Sequence, residues 1–119
     1  MFYVRVKNMF KGCHTALITP MNGDGSVDYD GLERLVEFQI SNGISGVLAV
    51  GTTGESPTLL WDEHNQVIER TVTLAKNRCL SIAGTGSNST KETMQASEHA
   101  SHVGADAVLL VDPYYNGPS

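Results

Sequence analysis

The sequence predicts a parallel α/β fold, on three observations. Four short apolar runs alternate with three amphipathic helical patterns. The last three runs are apolar or small at nearly every position. The residues with unusual chemistry cluster just after the runs end. Alternating strands and helices are the mark of crossover units in a parallel sheet. Near-continuous apolar strands suit a sheet covered on both faces.

The elements follow in order. The first run is Cys13–Thr19, CHTALIT. A helical pattern over Asp28–Asn42 comes next, with Leu32, Leu35, Val36 and Ile40 on one face. Asp28 is placed to cap its start and Gly43 to close its end. The second run is Gly46–Val50, GVLAV. A helix over Trp61–Lys76 follows, its apolar stripe made by Val67, Ile68, Val72, Leu74 and Ala75. The third run is Leu80–Gly84, LSIAG. The third helix spans Thr90–Val103, and Ser89-Thr90-Lys91-Glu92 reads as a capping box in which Ser89 caps and Glu92 reaches back. Gly104 is its terminator, and the fourth run is Ala107–Val111, AVLLV. Run starts lie roughly 27 to 34 residues apart, the size of one crossover unit.

Totals narrow the function. A chain of 119 residues is about one small domain with room for a real core. Its formal charge of −5 and the absence of any basic run argue against a nucleic-acid partner. The start, MFYVRVKNMFKG, is interrupted by Arg5 and Lys7, so it reads as neither a secretory signal nor a membrane span. Cys13 and Cys79 form no disulfide framework and no zinc pattern, and they read as reduced thiols of a cytoplasmic protein.

The chemistry sits after the strands. Thr19-Pro20, Gly51–Glu55, Gly84–Asn88 and Asp112–Pro118 follow the four runs, whereas the segments leading into each strand are short and plain. Parallel α/β folds place ligands at the carboxyl ends of their strands. Two adjacent hydroxyls, Thr52 and Thr53, stand between two glycines. They hold a ligand anion together with backbone amides, or they satisfy the backbone of their own turn. Tyr114 and Tyr115 sit on a proline-framed loop, where a phenol can pass a proton along a chain of hydroxyls or pack at a subunit contact. Gly84-Thr85-Gly86-Ser87-Asn88-Ser89 begins like a dinucleotide fingerprint but lacks the third glycine, and a helix-capping loop is the better reading. His99 and His102 have metal-ligand spacing but no third ligand, which leaves a solvated helix face. Gly51–Glu55 lacks the glycine–lysine ending of a P-loop.

Together these residues resemble a known family. Met9-Phe10-Lys11-Gly12, Leu17-Ile18-Thr19-Pro20, Gly51-Thr52-Thr53-Gly54-Glu55, Asp62-Glu63-His64, Ala83-Gly84-Thr85-Gly86 and Pro113-Tyr114-Tyr115-Asn116 are similar in order and spacing to the dihydrodipicolinate synthase family, Schiff-base-forming class I pyruvate aldolases. The likeness runs from Met9 to Ser119 and leaves Met1–Asn8 as an extension or a misassigned start. It implies an α/β chain forming the N-terminal half, about four βα units, of a (β/α)8 TIM barrel. It implies a lyase that condenses pyruvate with the aldehyde substrate aspartate-4-semialdehyde through a lysine Schiff base, in lysine biosynthesis, with no cofactor and no metal. It also implies a homo-oligomer, a dimer of dimers in full-length form, in the cytoplasm, with no nucleic acid and no membrane.

Carried over by position, Thr53 is similar to the binder of the pyruvate carboxylate, with Gly51 beside it. Thr52 resembles the hydroxyl that links two tyrosines in a proton relay. Tyr115 resembles the relay tyrosine that reaches into the neighbouring subunit's site. Pro57, Trp61, His64, Asn88, Glu92 and Tyr114 resemble a lysine-binding inhibitory site at a dimer interface. The Schiff-base lysine of a sixth strand, a second relay tyrosine and a carboxylate-gripping arginine lie beyond these 119 residues, so the chain alone is expected to be inactive. It is read as a truncated product or a fragment of a longer chain. Another pyruvate-dependent aldolase, such as N-acetylneuraminate lyase or a 2-keto-3-deoxy sugar acid aldolase, stays open, as does a non-catalytic α/β binding module.

Overall fold

A computed structural model describes residues 10–117. The Met1–Asn8 extension expected from the sequence lies outside the described residues. The order is β1 (His14–Ala16), α1 (Tyr29–Ser41), β2 (Gly46–Ala49), a 3₁₀ turn over Ser56–Thr58, α2 (Trp61–Ala75), β3 (Leu80–Gly84), α3 (Thr90–Val103) and β4 (Ala107–Leu109).

The four strands form one parallel sheet in the order β1-β2-β3-β4. Each strand therefore pairs with the next in sequence, and the sheet has no point at which its order reverses. Right-handed crossovers that always step in one direction put every helix on the same face. Leu17, Val47, Ala49 and Ala83 of the sheet layer meet Leu32 and Val36 of α1, Val67, Ile68, Val72 and Ala75 of α2 and Ala100 of α3 in one core. On the opposite face Ile18, at 58 %, and Leu109, at 43 %, are open. The expectation of strands covered on both faces is thus met on one face only, because all described helices lie on that side.

Caps explain the helix limits. The Asp28 carboxylate accepts from the Gly31 amide at 2.8 Å, so α1 begins one residue later than the pattern suggested. Gly43, at φ 83°, turns the chain out of α1 after Asn42. Glu63 reaches back to the Leu60 amide at 3.0 Å and anchors the start of α2. Ser89 accepts from the Glu92 amide, and Gly104, at φ 94°, closes α3 as expected.

Three strands are shorter than their apolar runs. β1 spans His14–Ala16 rather than Cys13–Thr19, because its ladder with Gly46–Leu48 is only that long. β2 ends at Ala49, because Val50 leaves the extended region. β4 stops at Leu109, because its partner β3 ends at Gly84 and leaves Leu110 and Val111 without a ladder.

Candidate active site

The site is built at the carboxyl ends of the strands, beginning with Val50. This residue is buried and holds φ at 48°, a conformation unfavourable for a β-branched side chain. The turn it starts runs through Gly51, Thr52, Thr53 and Gly54 to Glu55, which is also left-handed at φ 59°. The Gly54 amide donates to the Gly51 carbonyl and the Glu55 amide to the Thr52 carbonyl, both at 3.0 Å. From the end of β1 the buried Thr19 hydroxyl donates to the Gly54 carbonyl at 2.7 Å.

Glycines let the strand ends approach one another without intervening side chains. A β-carbon on Gly84 would lie 2.3 Å from the Val50 carbonyl oxygen and 2.8 Å from the Gly51 nitrogen. One on Gly86 would lie 2.6 Å from the Val111 nitrogen, and one on Gly54 would lie 3.0 Å from the Val50 α-carbon. The ends of β2, β3 and β4 therefore touch backbone to backbone.

Above this floor Thr52 and Thr53 are both exposed. Among the described residues neither hydroxyl has a hydrogen-bond partner in the chain, so the turn does not consume them. Thr52 and Gly51 line a concavity of about 230 Å³ together with Gly84, Gly86, Leu109 and Tyr114. Thr53 stands outside it. Tyr115 projects fully from the chain on a left-handed backbone at φ 66°. Its neighbour Tyr114 turns back toward the strands and is 44 % exposed.

A second cavity of about 100 Å³ adjoins the first, lined by Ser56, Pro57, Trp61, His64, Glu92 and Tyr114 among others. Five of the six residues matched to a lysine site are thus brought together. Asn88, half-buried beside the α3 cap, is not on this wall. His64 is 1 % exposed, and its Nε2 donates to the Gly84 carbonyl at 2.8 Å. Its Nδ1 faces the Asn65 side-chain amide at 3.4 Å, and Trp61 meets the ring edge-on at 4.9 Å.

Burial holds the His64 pKa below the ordinary imidazole value, against the two hydrogen bonds that favour the charged ring. The unfolded chain, with His64 in water, takes up a proton first as pH falls through about 6.5. Stability is therefore unaffected by this group above that pH and declines below it, down to the folded pKa. The urea midpoint should drop more between pH 7 and pH 5 in the native protein than in His64→Gln, whose amide can still donate to Gly84. Equal drops would remove His64 as the cause.

Two sequence readings are corrected here. Glu92 does not close a reciprocal capping box with Ser89. Its carboxylate accepts from the Ser87 hydroxyl at 2.7 Å, and Ser87 Oγ in turn accepts from the Ser89 amide at 3.1 Å. The intervening serine lies nearer both groups, so the box is closed through it. Nor is the His99–His102 face fully solvated: His99 Nε2 lies 3.3 Å from Glu69 Oε1 because α3 packs beside α2. Among the described residues no group of three His, Cys, Asp or Glu side chains could hold a metal. No helix among them is long and apolar enough to cross a membrane.

The sequence reading passed over Ser56, which lines both cavities, and it named Thr19 after the first run without giving it the role it has, tying the segment after β1 to the threonine turn. Ser56 had a signal, since it directly follows the motif Gly51–Glu55. Thr19 had two, its place after the first run and the motif Leu17-Ile18-Thr19-Pro20, but neither points to Gly54.

A sequential parallel sheet, helices on one face and polar loops at the carboxyl ends define part of a β/α barrel, the fold that places its sites at that end of the strands. The chain belongs to the Dihydrodipicolinate synthetase family, whose sequence profile matches residues 9–119. It is 57 % identical over 111 residues to 4-hydroxy-tetrahydrodipicolinate synthase of Gluconacetobacter diazotrophicus, covering 93 % of this chain and 37 % of that protein. It superposes with TM-score 0.88 and 50 % identity on chloride-inhibited dihydrodipicolinate synthase of Acinetobacter baumannii complexed with pyruvate, covering 91 % of this chain and 37 % of that one. The enzyme of Cyanidioschyzon merolae with lysine bound matches with TM-score 0.89 and 39 % identity, over 93 % of this chain and 38 % of that one. The chain thus spans under two fifths of its curated relatives and forms an N-terminal portion of their TIM barrel.

Proposed function

We propose that the polypeptide carrying these residues is a cytoplasmic lyase that condenses pyruvate with aspartate-4-semialdehyde, and that the described residues supply the first three βα units and the fourth strand of its barrel. The observation that carries this reading is the threonine turn. Two exposed hydroxyls, free of partners among the described residues, stand on a strained turn at the carboxyl end of β2. The similarity to a relative complexed with pyruvate supports a carboxylate ligand here.

In this reading the Thr53 hydroxyl and nearby amides hold the pyruvate carboxylate. The covalent step belongs to a Schiff-base lysine outside these residues: its amine adds to the pyruvate ketone, whose oxygen leaves as water, and loss of a methyl proton from that imine gives the enamine carbon that attacks the aldehyde. Thr52 and Tyr115 carry protons to and from the reacting centre as donors and acceptors in a hydroxyl chain. Tyr115 serves the site of a second subunit, which its complete exposure supports. The smaller cavity binds lysine as an inhibitor, with Glu92 pairing an ammonium group. The similarity to a lysine-bound relative supports that assignment.

The test uses the complete polypeptide, pyruvate and a panel of aldehydes. Turnover is expected with aspartate-4-semialdehyde, and Thr53→Val should raise the pyruvate KM by roughly tenfold or more, the scale of one lost hydrogen bond to a charged group. Turnover only with N-acetylmannosamine or a sugar-derived aldehyde would move the protein to another aldolase class. An unchanged KM would remove Thr53 from carboxylate binding.

A further inference from the structure

We infer that Thr19 is a positioning residue for the Thr52–Thr53 turn, acting through a single peptide plane. Its kinetic consequence rests on the function proposed above; its structural consequence does not. The Gly54–Glu55 peptide is held on both sides. Its carbonyl accepts the Thr19 hydroxyl at 2.7 Å, and its amide donates to the Thr52 carbonyl at 3.0 Å. Thr19 therefore reaches the backbone of Thr52 through one rigid planar unit.

That plane is under strain. Glu55 has φ 59°, where a residue with a β-carbon is disfavoured. Rotating the Gly54–Glu55 peptide would carry Glu55 back to negative φ and relieve it. The same rotation would break the Glu55–Thr52 hydrogen bond and release the turn that presents both threonine hydroxyls. The Thr19 bond opposes the rotation. It is buried, with Thr19 4 % exposed, so a carbonyl that lost it would find no water in its place.

The neighbouring contacts leave little other support. Gly54 is packed against the Val50 backbone and the Leu17 carbonyl, contacts that limit translation of the turn but provide no hydrogen bond to the Gly54 oxygen. Thr19 lies 35 residues from Gly54 in sequence and comes from the segment after β1, whereas Gly54 follows β2. Its hydroxyl is thus a tertiary clamp on a turn whose other described hydrogen bonds are local: those within it, and those that the Gly51 and Glu55 carbonyls accept from Ser56 and Thr58.

The experiment compares Thr19→Val, which keeps the shape and loses the donor, with Thr19→Ser, which keeps the donor. In the complete polypeptide, Thr19→Val should lower kcat/KM for pyruvate by about tenfold or more, through both KM and kcat, while Thr19→Ser stays within about threefold of the parent. Amide exchange at Glu55 should accelerate by about tenfold in Thr19→Val and not in Thr19→Ser. If Thr19→Val does not fold, Thr19→Ala is read in its place. The exchange measurement needs no substrate, so a protein that turns over no pyruvate refutes the proposed function without touching this inference. Unchanged Glu55 exchange in the donor-free variant overturns it, as does equal kinetic loss in the valine and serine variants.

Discussion

Tyr115→Phe should lower the turnover of the complete polypeptide by roughly 10²- to 10⁴-fold, the range for a lost acid–base group. The structure makes this a clean substitution. The Tyr115 side chain is fully exposed, so removing one oxygen takes away no packing within its own chain. The left-handed backbone at φ 66° is equally available to phenylalanine, and the local Asn116 amide bond to the Tyr114 carbonyl at 2.8 Å does not involve the phenol. Stability and pyruvate KM should therefore stay near those of the parent while kcat falls. Steady-state kinetics beside a thermal melt separates the two. Unchanged turnover would exclude Tyr115 from proton transfer and leave it as a contact residue.

The other large effect is expected from one added methyl group. Gly84→Ala would place a β-carbon 2.3 Å from the Val50 carbonyl oxygen and 2.7 Å from its carbon. Those are backbone atoms of the residue that follows the neighbouring strand, and no rotamer change relieves the contact. Either β2 and β3 separate, or Val50 moves in a conformation already strained. Overpacking of this kind costs about 1–3 kcal/mol. The displacement also reaches Gly51 and, through it, Thr52, and it disturbs the carbonyl that accepts from His64 at 2.8 Å. The urea midpoint of the complete polypeptide should fall accordingly, and pyruvate affinity should fall with it. A variant with parental midpoint and affinity would show that the strand ends are looser than this geometry.

How much of this was legible in the sequence depended on distance along the chain. Helix limits were set by residues within a turn of them, so Asp28, Ser89 and Gly104 marked α1 and α3 closely. β3, with a hydrogen-bonded neighbour on each side, matches its apolar run completely. Among the described residues β1 and β4 have one neighbour each, and each ladder is only three pairs long, which composition does not record. The candidate residues Gly51, Thr52 and Thr53 stood out through their chemistry. Their setting did not. The left-handed Val50, the His64 bond to Gly84 across 20 residues and the Thr19 clamp across 35 are products of tertiary packing. Ser87 entered the Glu92–Ser89 cap for the same reason, since its hydroxyl position depends on how the β3–α3 loop turns.

The backbone contacts at Gly54, Gly84 and Gly86 also bear on the entropy of ligand binding. A site assembled from separate loops must freeze them when its ligand arrives, and each ordered residue opposes association. Here the segments after β2 and β3 rest backbone on backbone at Gly84, and Gly86 meets the backbone and one methyl group of Val111 after β4. Their freedom is surrendered when the chain folds. A small anion meets a surface that has little left to lose, so even a ligand of a few atoms can bind without first organising its own receptor.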